Sequence, residues 1–507
     1  MHNKIKKGVA LLLAIFMCSL MWMHVNAEVV NEKTFTVTTR PVDNQSAEET
    51  TVGQYDTFHD AIEACKQGNL SIQYIVTMNK DYTIPASEEV WYIQNANILL
   101  CSKEGQQYTL KRTGQRSLAT IYQNCDFRTE NIILDGNNEA EAFFVPYGVL
   151  TLGKGTIFQH FSNYIASDGP AIYVTNTGTV NIMEGAIIRN NKSDLKSAAV
   201  LQLNNPESTV NVYGGEFYNN NSTYWGGVFL SWGKINIMGG TFKDNYAQAT
   251  GGVIASYGGV VNITGGNFAN NLSAETGGVI LFKGEDLNIS NAAFTENSAN
   301  KHGGAIYMKA GKLAIRDSVF TKNSSEHGGG ALLVHYDNSN KLEVVSSRFE
   351  ENSASFGGGI YLMSGSKLNV EGTQFINNDT GHGAAIATLP SLDVAADPSQ
   401  LTVMNSQFQE NVAWSGAGIF TSFPTKIEGC LFKANEALVA DGDDQLNPHK
   451  TGTGGALSIM NNITQISKSD FVENKAYDSG GAICINGYTW NDDGTVEVKE
   501  HIGAEIK

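Results

Sequence analysis

The chain has 507 residues, with 53 Gly, only 9 Pro and a formal net charge of −17. That length excludes a single small compact core and suits an elongated domain, and abundant Gly with scarce Pro fits tight turns joined by uninterrupted β-strands. The acidic balance excludes nucleic acid and anionic lipid as main partners, and it repels acidic polymers such as pectate unless Ca²⁺ bridges them.

In chain order, the first element is a leader. Lys4, Lys6 and Lys7 precede an apolar run from Val9 to Met23, and "VNA" (Val25 to Ala27) follows. This is the layout of a secretory signal with cleavage expected after Ala27, so residues 1–27 are assigned to a signal peptide. An uncleaved anchor is the alternative. The run is short for a span, however, and no second apolar run of about 20 residues follows. Cleavage removes three Lys and no acid, leaving 31 Lys+Arg against 51 Asp+Glu, a net of −20. The expected location is extracellular or cell-surface, not integral to a membrane. Cys65, Cys101, Cys125, Cys430 and Cys484 remain, widely spaced and without a CxxC pair. That spacing argues against zinc and for buried, mostly free thiols.

Residues 28–157 form an N-terminal cap and irregular early coils. Within "QYDTFHDAIEACKQGN" (Gln54 to Asn69), Asp56 is the expected N-cap, and Phe58, Ala61, Ile62 and Cys65 share one face. This predicts a short capping helix near 56–66. Strand-like runs follow at "SIQYIV" (Ser71 to Val76), "ANILL" (Ala96 to Leu100) and "NIILD" (Asn131 to Asp135).

Residues 158–507 repeat. F-x-x-N recurs at Phe217/Asn220, Phe242/Asn245, Phe268/Asn271, Phe294/Asn297 and Phe320/Asn323. It continues at Phe349/Asn352, Phe375/Asn378, Phe408/Asn411, Phe432/Asn435 and Phe471/Asn474. Nine residues after nearly every Phe comes a small pair such as Gly303-Gly304, and the commonest Phe-to-Phe step is 26 residues. The pair weakens to Ala384-Ala385 and Ala417-Gly418 mid-chain, and one copy carries thirteen extra residues before Gly454-Gly455. A degenerate copy holds Ile188 and Asn191, and another begins at Phe158.

Each step reads as three short strands, for example Ala305 to Met308, Lys312 to Ile315 and Ser318 to Phe320. Three strands per unit of this length make one coil of an all-β, right-handed parallel β-helix, a pectin-lyase-like solenoid. Coils stack at ~4.8 Å, so equivalent positions form ladders. The Phe is expected to stack inward, the Asn to sit at a turn, adopt an unusual φ and join an amide ladder, and the Gly pair to make a sharp corner.

The FxxN and GGA[ILV] motifs resemble the repeats of the chlamydial polymorphic outer membrane proteins and similar bacterial surface proteins. The resemblance runs from about Phe158 to Ile483, with strict GGA[ILV] at Gly303 to Ile306, Gly329 to Leu332, Gly454 to Leu457 and Gly480 to Ile483. It implies a β-helix passenger with an adhesive role. The chain departs from that family in carrying no C-terminal membrane barrel pattern, and it has no LPxTG-type sorting signal. At its end, "TVEVKEHIGAEIK" (Thr495 to Lys507) starts another coil and stops. The expectation is either a fragment or a last coil covered by a partner.

Four features are candidates for chemistry. The position two after the Phe is often acidic (Asp244, Glu296, Glu351, Glu410, Glu473), which suits paired carboxylates or a solvated stripe balanced by Lys322. His302, His327 and His382 lie near the glycine corner and are expected to be solvated turn residues. Asp441, Asp443 and Asp444 in the insertion are candidate Ca²⁺ ligands, although the spacing is not that of an EF-hand. Trp225 and Trp232 can stack on a sugar, anchor a protein, or pack a corner. No catalytic residue is assigned and no cofactor is expected beyond calcium. The expected function is non-enzymatic and adhesin-like, with a glycan or a host or neighbour-cell protein as partner. The alternative is a polysaccharide lyase or glycoside hydrolase of the same fold.

Overall fold

The computed structural model describes residues 32–506 apart from 67, 90, 164–168, 336–341, 364, 390–398, 440–451, 461–463, 487, 491–495 and 499–503. The signal peptide and the Asp441, Asp443 and Asp444 loop lie outside the described residues.

A helix of only six residues follows from the turn at its start. The cap is Thr57 rather than Asp56: Thr57 is extended, and its hydroxyl accepts from the Asp60 N–H at 3.1 Å. Asp56 instead pairs with Lys33. The helix α1 (Phe58–Glu63) buries Phe58 against Phe35 and Trp91. Two strands, β1 (Phe35–Pro41) and β2 (Thr50–Tyr55), pair antiparallel, and β1 pairs antiparallel with Ile72–Met78. From Ile72 onward the pairings between coils are parallel among the described residues, and the antiparallel pair Tyr488–Trp490 and Val496–Val498 is a hairpin near the end.

The three expected strands per coil are all present, and a fourth of two residues joins them. In one coil they are Lys312–Arg316, Val319–Thr321, Ser324–Ser325 and Leu332–Val334. They stack into sheets of 18, 15, 12 and 15 strands, here called sheets I to IV in that order along the coil. Sheet III follows the Asn and is too short for alternation to register in sequence.

The Phe residues stack inside sheet II from Phe217 to Phe471, with centroids 4.4–5.1 Å apart and ring planes within 15°. Rings alone prefer offset or edge contacts; here the coil rise sets the spacing.

The Asn ladder forms as expected, but its members do not carry the turn. Asn245, Asn271, Asn297, Asn323 and Asn352 are all buried. Each Nδ2 donates to the preceding coil's Phe carbonyl and to the next Asn Oδ1. Asn245 donates to Phe217 and Asn271 at 2.9 and 3.0 Å, and Asn271 to Phe242 and Asn297 at the same distances. The expectation of an unusual φ at Asn245 and its equivalents is corrected: the left-handed residue is the one before. Asp244 precedes Asn245 with φ 54°, and Glu296, Glu351, Glu410 and Glu473 have φ between 52° and 57°. The physical reason is burial. The amide must point into the coil to bond above and below, so the preceding residue absorbs the reversal and turns its side chain outward. These acids therefore mark a turn on the outside of the coil. Lys322 pairs with Glu351 at 3.5 Å, which balances charge across coils.

The glycine corner divides into two jobs. The first glycine is left-handed at Gly303 (φ 65°), and so is its equivalent in neighbouring coils. The left-handed glycine persists at Gly357, Gly383 and Gly416, one residue earlier than in the other copies. The corner therefore does not weaken there; the segment from Phe to glycine is one residue shorter. Cys65, Cys101, Cys125 and Cys430 are free; burial pushes the thiols of Cys65 and Cys125 up to about 12 and keeps them protonated.

Candidate binding face

In each strand of sheet IV the outer residues point inward and the middle residue points out. Sheet I answers this rule with polar ladders. Asn211, Asn236, Asn262 and Asn288 each donate Nδ2 to the preceding Asn Oδ1, at 2.9–3.0 Å. Sheet IV does not. Between the outward polar residues Gln202 and Ser458 its column is Leu230, Ala255, Leu281, Tyr307, Leu333, Tyr361, Ala387 and Phe420, with register given by the strand pairings. All eight are buried. A second apolar layer covers them from the flanks: Trp225, Trp232 and Tyr257 at one end, Phe356, Met363 and Leu389 at the other.

The two tryptophans flank one strand, Phe229–Ser231, and both are half-buried. Both rest on Tyr257 of the next coil, at centroid distances of 5.5 Å for Trp225 and 5.7 Å for Trp232, the latter pair stacked. Tyr224 meets Trp225 edge-on at 5.3 Å and is 39% exposed. A shallow hollow lined by Lys196, Thr223, Tyr224 and Gln248 opens there, with Lys196 Nζ 5.6 Å over the Tyr224 ring. Further along, Trp414 is 36% exposed and stands edge-on to His382 at 6.0 Å. The sequence motif Trp225…Trp232 thus marks one end of an aromatic face whose other members it did not single out. Tyr257 lies fifteen residues after Phe242, as Trp232 lies fifteen after Phe217. That shared offset was the available signal.

The histidines also belong to this face. His302, Gly328, Phe356 and His382 form one ladder on consecutive coils. His382 aligns with His302 because its coil has the shortened segment. His327 is exposed, as expected for a turn. His302 and His382 depart from the expectation: they are half-buried and stack on Tyr307 and Phe356 at 6.0 and 5.2 Å. Burial pushes both down to about 4, and for His302 the charges of His327, His335 and Lys301 add to it. Their Nδ1 atoms have no hydrogen-bond partner among the described residues. The sign follows from linkage. The unfolded chain takes up protons at these sites first, so their stabilising contribution is complete above their ordinary value and is lost as pH falls toward about 4. Thermal melts are expected to lose midpoint across that window. A His302→Gln/His382→Gln double variant should flatten the slope there, while carboxylates such as Glu428, pulled down to about 2 by Lys426 and Lys468, act at lower pH.

Two family models match the chain. Residues 328–489, about a third of the sequence, match the right handed beta helix region. Residues 291–309, holding Phe294, Asn297 and the Gly303-Gly304 corner, match the Chlamydia polymorphic membrane protein repeat. The chain is a right-handed parallel β-helix repeat protein. The β-helix carries repeats similar to those of a surface-protein family. No curated protein and no solved structure matches it. Among the described residues, no helix is long and apolar enough to cross a membrane.

Proposed function

We propose that this β-helix is an exported, adhesin-like surface protein that presents the outward face of sheet IV to a glycan or protein partner without chemical turnover. The observation that carries the reading is the Trp225, Trp232 and Tyr257 cluster, half-buried rings gathered on an outward sheet face whose counterpart in sheet I is polar. Half-buried aromatic rings fixed by their neighbours offer apolar area to a sugar or a protein side chain at little entropic cost. The acidic stripe supports the same reading, since its carboxylates occupy left-handed turns on the outside of the coil with a lysine among them. Calcium through the Asp441, Asp443 and Asp444 loop is part of the proposal.

The test is binding and turnover on a glycan panel and on intact cells, using residues 28–507 with and without Ca²⁺. Retention without release of reducing or unsaturated ends is expected. A Trp225→Ala/Trp232→Ala variant that keeps its melting midpoint should bind about tenfold or more weakly, as hot-spot aromatics do. Glycan depolymerisation by the intact chain would overturn the reading.

A further inference from the structure

Directly beside the apolar outward column of sheet IV runs a ladder of a different kind. The residue that follows each strand of sheet IV donates its N–H to the last residue of the strand in the preceding coil. The donors are Trp232, Tyr257, Lys283, Lys309 and His335, and the acceptors are Leu203, Ser231, Ser256, Phe282 and Met308, at 2.8–2.9 Å. Five consecutive coils therefore place two aromatic rings and then three basic side chains in one line along the helix axis. Lys283 Nζ lies 4.7 Å over the Tyr257 ring, which joins the two halves of the line. His335 faces Tyr307 at 6.1 Å, and its Nδ1 is buried without a partner among the described residues.

In the same coils Lys301 pairs with Glu275 and Lys312 with Asp286, each at 3.0 Å, and Arg316 pairs with Glu343 at 2.5 Å. Among the described residues, Lys283 and Lys309 have no ion-pair partner, although acids outnumber bases 51 to 34 in this chain. Stacking like charges on adjacent coils is unfavourable by itself. Burial and the charge of Lys309 both pull the Lys283 ammonium below its ordinary value. Two ammonium groups without counter-ions among the described residues, on adjacent coils beside the Tyr257 and Trp232 rings, make a surface complementary to negative charge on a ring-bearing ligand.

We infer that the Lys283, Lys309 and His335 ladder, with Tyr257 and Trp232, binds an anionic glycan laid along the helix axis, its carboxylate or sulfate groups on the lysines and its sugar faces on the rings. This rests on the glycan-binding reading of sheet IV and names the ligand class. The coil rise of ~4.8 Å spaces the two ammonium groups by about one sugar of an extended chain. The net charge of the molecule, which argues against acidic polymers, is a sum over all faces; this ladder reverses the sign locally.

The experiment compares β-1,4-linked cello-oligosaccharides with their sulfated and carboxymethylated derivatives, using residues 28–507 at two salt concentrations. The derivatives are expected to bind about tenfold or more tightly than the neutral parent, with the advantage shrinking at high salt. Lys283→Gln/Lys309→Gln should abolish that advantage with an unchanged melting midpoint. Lys433→Gln/Lys475→Gln, the same charge change at exposed positions of sheets II and III, should leave it intact. Equal binding of parent and derivatives overturns the inference and leaves the glycan reading standing. Equal loss in the Lys433 and Lys475 double variant assigns the effect to diffuse charge and also overturns it. Binding of neither class overturns the glycan reading and the inference together.

Discussion

Asn297→Ala is expected to cost roughly 3–5 kcal/mol, because it strands several buried groups at once. The Oδ1 of Asn297 accepts from both the N–H and the Nδ2 of Asn271, each at 3.0 Å. Its own Nδ2 donates to the Phe268 carbonyl and to Asn323 Oδ1, each at 2.9 Å. Every polar site of the amide is used and the residue is fully buried. Alanine leaves two donors of Asn271 without an acceptor in a region closed to water, at about 1–3 kcal/mol for each stranded group. Asn297→Asp should be no milder, since the carboxylate accepts but cannot donate and its charge is desolvated. The control is Asn288→Ala, which removes a link of the same form (Nδ2 to Asn262 Oδ1 at 3.0 Å) from the exposed ladder of sheet I. There water replaces the lost partner, and the expected change is within ~0.5 kcal/mol. A solenoid need not unfold in one step, so amide hydrogen exchange at Asn271 and Asn297 is the decisive measurement. Equal loss of protection in the two variants would sink the argument.

This contrast also explains what the sequence could and could not disclose. The fold was legible because a ladder repeats its chemistry: Phe and Asn at a constant offset require equivalent positions to lie above one another. The role of the Asn was only half legible. Its amide bonding, as at Asn245, follows from burial in a stack. The left-handed φ, however, belongs to the preceding residue, whose identity varies from Asp244 to Glu296 to Lys322 to Ala434. Asn and Asp recur there (Asn190, Asn219, Asp244, Asn270 and Asn377), but Glu296, Lys322 and Ala434 take the same φ, so residue type leaves only a partial signature. Sheet III was missed for a related reason, since two residues show no period. At the binding face, Trp225 and Trp232 stood out by type, whereas Tyr257, Lys283 and Lys309 are ordinary in isolation. They become a line only when every coil is laid on the same frame. The one-residue shortening after Phe349 moves His382 into register with His302, which counting from the Phe alone does not show.

The second large effect is expected at Gly304. A Cβ built there would lie 2.0 Å from the Gly330 carbonyl oxygen of the next coil and 2.5 Å from that of Ser324. Both are backbone atoms in paired coils, so neither can rotate away. Gly304→Ala must push two coils apart, and its cost should exceed the ~1–3 kcal/mol usual for overpacking a core. Gly303 next to it is needed for a different reason, its φ of 65°, so the two substitutions test separate constraints. The coils with the shortened segment supply an internal comparison. At the equivalent position they hold Gly358, Ala384 and Ala417, the last two buried in a small alanine cluster. A Cβ on Gly358 would stand 2.7 Å from the Asn352 carbonyl oxygen and 2.8 Å from that of Ala384, a milder clash than at Gly304 but still one that backbone must shift to relieve. Gly358→Ala is therefore expected to destabilise by less than Gly304→Ala, since the neighbouring coils already accommodate Ala384 and Ala417 at the same position. Chemical unfolding of the two variants side by side decides the matter. If Gly358→Ala proves as damaging as Gly304→Ala, segment length does not set the room at this corner. If Gly304→Ala alone collapses, the strict Gly-Gly of the longer segments is a packing requirement between carbonyls, and the drift to alanine mid-chain is the expected relaxation of that requirement once the segment loses one residue.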